Sequence, residues 1–238
     1  MEIQPVQKSI VITGSSSGLG LALANELLNK REWAIYGIDL QGARISHPSY
    51  RHLVCNVADW GESQQKVPGF IGTKTPLSVL VNSAGIMPSS LVSSLDPSRA
   101  INAFAINTVA PLHMSKLLLK NLSRSREGHI INITSSAADV LIPGEVIYSA
   151  TKAALKTISE GMASELARFS IRVNSVAPAL IETKMTEHLS PSQIEFMKTK
   201  QAFLGSLATR HVADSIIALI ESPQQITSST VYVGGIRK

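Results

Sequence analysis

Cysteine is nearly absent: Cys55 stands alone among 238 residues. A lone thiol forms neither an internal disulfide nor a cysteine-based metal cluster, and it suits a reducing, cytoplasmic setting. Lying at the end of an apolar run, it reads as a small buried hydrophobe rather than a reactive group. Aromatic residues are scarce too, at 5%, and charged residues make up 16%. The 22 Lys+Arg exceed the 17 Asp+Glu by five, but they are scattered along the chain. Without a basic cluster or interleaved aromatics, no nucleic-acid partner is expected; the excess suits an anionic cofactor or substrate. No apolar run is long enough to span a membrane, and Met1 to Pro5 carry no signal-peptide pattern, so no membrane partner is expected. His47, His52, His113, His129, His188 and His211 lack metal-ligand spacing, so no metal is expected, and neither His113 nor His188 reads as catalytic.

What is present is an alternation of short apolar runs with helical patterns. Residues 9–13, 33–38, 52–55, 77–81, 129–133, 171–176 and 230–233 read as strands. Residues 18–30, 146–169 and 209–221 read as helices, and Asp96-Pro97 starts another that continues through Asn107 to Leu119. With no repeat, low-complexity tract or linker, residues 1–238 read as a single domain. The alternation predicts an α/β fold of the Rossmann type: doubly wound, mainly parallel, seven strands, helices on both faces. Residues 182–206 are polar and mixed, and are expected to form a substrate lid.

In such sheets ligands bind beyond the carboxyl ends of the strands, and the chemistry-bearing residues fall there. Gly14, Gly18 and Gly20 follow the first strand and open a helix, with Ser16, Ser17 and Leu19 between them. Glycines let the backbone approach a pyrophosphate at a helix N-terminus; the competing reading is a serine-rich turn that merely caps a helix. Asp39, nineteen residues after Gly20, ends the second strand. A carboxylate there accepts both hydroxyls of an adenosine ribose and repels a 2′-phosphate; the plainer reading is a solvated turn aspartate. No Arg or Lys occupies 15–17 and Leu40 follows Asp39, so NAD is expected and NADP disfavoured. Arg44 is the nearby cation that could answer a phosphate.

Tyr148 and Lys152, four residues apart, share a helix face. An ammonium beside a phenol favours the phenolate, which makes Tyr148 a candidate general acid/base with its pKa drawn toward working pH. Ser135 lies thirteen residues upstream.

Together these residues resemble the classical short-chain dehydrogenases/reductases over nearly the whole chain. The likeness rests on the Thr13–Gly20 turn, Asn82-Ser83-Ala84-Gly85, Asn107, Ser135, Tyr148, Lys152, and Pro178 with Thr183. It implies a catalytic tetrad. Tyr148 would exchange the proton with the substrate oxygen, and Ser135 would hydrogen-bond that oxygen. Lys152 would grip the nicotinamide ribose and lower the Tyr148 pKa, while Asn107 would hold a water linking Lys152 to solvent. Ile181 and Thr183 would bind the carboxamide, and Asn56, Val57, Asn82, Ser83 and Ala84 would flank the adenosine, with Gly85 and Pro178 completing the cofactor set. A homo-oligomer follows by the same resemblance, with helices 96–120 and 147–169 as its face.

The chain departs from the family at Ser83, at Asn56 in place of a usual Asp, at Ala179 in place of a Gly, and at Val233-Gly234-Gly235, which lacks the common preceding Asp. No tetrad member is lost, so an enzyme acting on a small alcohol/ketone or cyclic diol is expected. A non-catalytic NAD(H)-sensing protein is the alternative from another class. An NADPH-dependent 3-oxoacyl-carrier reductase is the alternative enzyme. Barely a dozen residues separate Asp39 from the third strand, too few for a full helix. That shortening resembles dehydrogenases of the 2,3-dihydro-2,3-dihydroxybenzoate type, which aromatise cyclic dihydrodiols. The substrate pocket is expected from Met87, Ala137, Glu145, Leu180 and Met185, with Ile86, Val140 and the lid. Glu145 is expected to face solvent, since acids are favoured at helix N-termini.

Overall fold

The computed structural model describes residues 8–181, 183, 185–187 and 189–237. Its strands are β1 (Lys8–Thr13), β2 (Trp33–Asp39), β3 (Tyr50–Val54), β4 (Val79–Asn82), β5 (Gly128–Ile133), β6 (Ile171–Pro178) and β7 (Thr230–Val233). They pair in parallel in the order β3-β2-β1-β4-β5-β6-β7. This is the Rossmann-type sheet that the alternation predicts. The strand order reverses between β1 and β4, which is where such sheets open a ligand crevice.

The helices are α1 (Gly18–Asn29), α2 (Trp60–Ile71), α3 (Pro97–Phe104), α4 (Ala110–Leu117), α5 (Leu119–Arg124), α6 (Val146–Leu166), α7 (Pro191–Lys200) and α8 (Thr209–Ile220). Period-two alternation divides each strand between two cores. Ile10 and Ile12 of β1 face one way, into a cluster with Leu23 and Leu27 of α1 and Val212 and Ile216 of α8. Val11 faces the other way, with Val67 of α2, Met114 of α4 and Met162 of α6. A strand buried on both faces reads as an unbroken apolar run, and each such side chain contributes about 1.5–3 kcal/mol by leaving water.

Several elements depart from the sequence reading. β3 begins at Tyr50, and β4 begins at Val79 because the Leu77 amide bonds instead to Asn121 O. No helix separates β2 from β3, in line with the short span between them. Helix α2 was not expected. Gly61, Pro68 and Gly69 obscure its period, and it is started by the Asp59 carboxylate, which accepts from Glu62 N at 3.0 Å. The long helix expected after Asp96 is divided: a π-helical turn, Ala105–Val109, separates α3 from α4, and α5 follows separately. The expected lid contains α7, opened by a reciprocal cap between Ser190 and Gln193. No helix among the described residues is long and apolar enough to cross a membrane.

Candidate active site

At the β1/β4 crevice the Thr13 side chain fastens two loops together. Its Oγ1 accepts from Ser83 N and Ala84 N, both at 3.1 Å, so the turn after β4 lies directly against the turn after β1. The glycine requirement in the β1–α1 turn is steric. A Cβ on Gly20 would stand 2.2 Å from Gly14 O, a backbone atom with nowhere to go. No side chain caps α1 at Ser17, so its first-turn amides remain available to an anion.

The turn opens into a cleft of about 940 Å³. Gly14, Ser16, Ser17, Gly18, Leu19, Gly20, Asp39, Asn56 and Val57 line one end. Ala84, Gly85, Met87, Ser135, Tyr148, Lys152, Pro178, Leu180, Ile181, Thr183 and Met185 line the other. Asp39 is held by backbone donors, Ser16 N to Oδ2 at 3.0 Å and Gln41 N to Oδ1 at 2.8 Å, leaving further lone pairs on each oxygen. It is a fixed hook rather than a solvated turn residue. Asn56 Oδ1 accepts from Ala58 N at 3.0 Å and retains one acceptor direction.

Five expected site residues do not line the cleft, Val140 and four that are buried. Asn82 is buried behind it, donating to Asn132 Oδ1 at 2.8 Å in a ladder that Asn132 continues to Ser159 Oγ at 2.8 Å. Asn107 is fully buried and grips both backbone groups of Ile86: Ile86 N donates to its Oδ1 at 2.9 Å, and its Nδ2 donates to Ile86 O at 2.8 Å. The same Nδ2 donates to Thr151 Oγ1 at 3.0 Å, so the side chain joins the loop after β4 to α6. Ala137 is buried in the 3-10 turn after Ser135. Glu145 is the clearest correction. Expected in solvent, it is 0% exposed, one turn before Tyr148.

That placement alters the electrostatics of the tyrosine. Burial and then the Glu145 charge push the Tyr148 phenol up to about 12, while the Ser135 hydroxyl pulls the other way. Burial pulls Lys152 down to about 8, and its Nζ donates to Ile133 O at 2.8 Å. Burial is the largest influence on both groups and opposes the drawing of Tyr148 toward working pH that was expected from Lys152. The Lys152 ammonium lies 5.8 Å from the phenol ring centre.

The positions unusual at sequence level fit one another. A Cβ on Gly234 would meet the Ala179 methyl at 2.8 Å, so the methyl at 179 fills the space that glycine leaves at 234. Thr186, not anticipated, accepts from Thr183 N at 3.0 Å and donates to Ile181 O at 3.0 Å, shaping the segment expected to meet a carboxamide. Thr13 is legible only as the first residue of the glycine turn, and Thr186 carries no local signal, since both act through hydrogen bonds made only in the folded chain. His113 is buried beside the Trp60 ring and pushed by burial down to about 4, as befits a packing residue. His188 lies outside the described residues.

The comparisons agree with this geometry. Residues 8–194 match the model of the family described as short chain dehydrogenase. The chain is 29% identical to the 3-oxoacyl-[acyl-carrier-protein] reductase FabG of Haemophilus influenzae, over 96% of this chain and 97% of that protein. It is 31% identical to carbonyl reductase family member 4 of Xenopus tropicalis, over 96% of this chain and 97% of that one. A solved structure of 4-hydroxyisoleucine dehydrogenase complexed with NADH aligns with a TM-score of 0.87 at 26% identity, covering 96% of this chain and 98% of its own. With a fold, a cleft and relatives that all agree, the chain is an oxidoreductase belonging to the short-chain dehydrogenase family.

Proposed function

We propose that this enzyme interconverts a secondary alcohol and a ketone, or oxidises a cyclic dihydrodiol, with NAD as the hydride carrier. The observation that carries the reading is a single cleft with the Asp39 hook at one end and Ser135, Tyr148 and Lys152 at the other. The residues fit a dinucleotide. The uncapped start of α1 suits the pyrophosphate, the glycine turn admits its close approach, and Asp39 offers acceptors to ribose hydroxyls. A bound nicotinamide supplies the hydride acceptor or donor.

The chain's own residues supply the proton chemistry. Tyr148, kept protonated by burial, serves as the acid that meets a developing alkoxide. Ser135 lends a second donor to the same oxygen, and Lys152 presents a buried amine to the ribose hydroxyls beside it. Asn107 acts on this site by fixing Ile86 and α6 in place. Asp39 favours NAD through its charge, which repels a 2′-phosphate. Leu180 and Met185 make the substrate end largely apolar.

A second reading is reduction of a carrier-bound 3-oxoacyl thioester with NADPH. The FabG relative favours it, and Asp39 opposes its cofactor. One experiment separates the two. NAD⁺ and NADP⁺ reduction are followed by absorbance over a panel containing a cyclic dihydrodiol, a secondary alcohol and a 3-hydroxyacyl thioester. Turnover with NAD⁺ on either of the first two supports the proposal. Turnover confined to the thioester with NADP⁺ replaces it with the second reading.

A further inference from the structure

Gly37 sits inside β2, where a glycine normally weakens a strand. Its reason lies on the neighbouring strand. A Cβ at Gly37 would stand 2.1 Å from the Tyr50 hydroxyl and 2.5 Å from Ser15 Oγ. Those two hydroxyls occupy the space and are hydrogen-bonded at 3.1 Å. The Tyr50 hydroxyl also meets His52 Nδ1 at 3.0 Å, and His52 Nε2 meets Gln41 O at 2.8 Å. Ser16 Oγ closes the circuit, lying 3.3 Å from Gln41 O and 3.0 Å from Gly42 O.

Donor and acceptor chemistry sets the direction of this relay. The Gln41 carbonyl can only accept, so His52 carries its proton on Nε2 and leaves Nδ1 bare. Nδ1 then takes the Tyr50 proton, and the Tyr50 oxygen takes that of Ser15. Both Ser15 and Tyr50 are buried. The relay therefore ties the glycine turn, through β3, to the 41–42 backbone, and Ser16 returns that backbone to the same turn.

The result is an electronegative rim. Asp39 takes the Ser16 amide, and the Gln41 and Gly42 carbonyls converge on the Ser16 hydroxyl next to it. This rim stands where a phosphate on the adenosine ribose would lie once Asp39 holds the ribose. Arg44, which also lines the cleft, is carried by the same loop. We propose that Tyr50 and His52 are positioning residues for dinucleotide selection: they hold the 41–42 carbonyls beside Asp39, so that a 2′-phosphate is refused by the loop as well as by the carboxylate. Releasing the loop lets its carbonyls turn away and Arg44 turn in. The inference rests on the reading that a dinucleotide occupies this cleft.

The test is the ratio of NADH to NADPH dissociation constants, measured by fluorescence on the full chain. Wild type, Tyr50→Phe, His52→Leu and His52→Gln are compared, each with a thermal melt to confirm folding. Loss of one hydrogen bond corresponds to about a fivefold change. Tyr50→Phe and His52→Leu are expected to lower the preference for NADH by at least about that factor, while His52→Gln, which can still donate to Gln41 O, keeps most of it. A merely structural role would weaken both dinucleotides in parallel. That outcome, or an unchanged ratio in both variants, overturns the proposal while the proposed function stands. Wild-type protein that binds neither dinucleotide, or prefers NADPH, overturns both.

Discussion

Tyr148 and Lys152 lie one helical turn apart in α6, and burial moves each toward its neutral form. A neutral phenol suits proton donation, so Tyr148→Phe is expected to cut kcat by roughly 10²–10⁴ while leaving NADH affinity within about threefold. Equal turnover in wild type and variant would remove Tyr148 from the proton path. The lysine makes a separate prediction about stability. Its pKa falls from 10.5 unfolded to about 8 folded, so between those values the unfolded chain binds more protons and folding gains as pH rises. Below about 8 both states are charged, and the folded state carries the full cost of burying the charge. Tyr148 works oppositely, but only above its unfolded value of 10.0. Lys152→Met is therefore expected to be more stable than wild type at pH 7, by at most about 3 kcal/mol, with the gap closing toward pH 10. Denaturant titrations of both proteins at pH 7, 8.5 and 10 measure it, and a gap that does not change with pH contradicts the argument.

Single residues act here because whole elements are tied to one another. Asp139 in the turn after Ser135, Lys156 on α6 and Tyr232 on β7 form a closed triangle. Lys156 Nζ lies 2.8 Å from both partners, and Tyr232 Oη lies 2.7 Å from Asp139 Oδ2. Burial alone would raise Asp139, yet the bonds from Lys156 and Tyr232 hold its carboxyl below the usual range. The triangle pins the serine's loop to the helix that carries the tyrosine. Tyr232→Phe is expected to cost about 1 kcal/mol of stability and several-fold in kcat, with the cofactor KM unchanged. If stability falls and kcat does not, the triangle only braces β7. None of this was legible in the sequence, whose signals are local. The strands announced themselves as apolar runs, and α6 and α8 as periodic patterns. Helix α2 did not, since Gly61, Pro68 and Gly69 interrupt it and its inward face amounts to Ser63, Val67 and Ile71. Helix α7 had a usable signal, Ser190-Pro191-Ser192-Gln193, which is the pattern of a capping box. Among site residues, those on the turns at strand ends were legible because their backbone requirements or charge are local. Glu145 was misjudged, and the burial of Asn82 and Asn107 was not foreseen, because burial is decided by elements far away in sequence.

At the scale of the molecule, one outer surface is out of keeping with a solvated face. Ile101 and Phe104 of α3, Val109 of the π turn and Leu112 of α4 are all exposed along one side. Beside them α6 presents small or short residues, with Ala150, Thr157, Gly161 and Ser164 exposed at helical spacing, and small residues permit close approach of another helix. An apolar stripe next to a smooth one is the make-up of a self-complementary interface. We propose that two copies pair through this face, as the family resemblance implies. The pairing has a consequence for chemistry. Asn107 and Thr108 in the π turn both bond to Thr151 on α6, so the surface that pairs also braces the helix bearing Tyr148 and Lys152. Light scattering of wild type is expected to give a multiple of 25.5 kDa. Ile101→Glu places an unpaired charge in the interface and is expected to yield monomer, with a melting temperature that no longer rises with protein concentration. It should also lose activity, because α6 is then braced from one side alone. A wild-type monomer at assay concentrations would refute the interface, and full activity in a monomeric Ile101→Glu protein would show that pairing does not support the site.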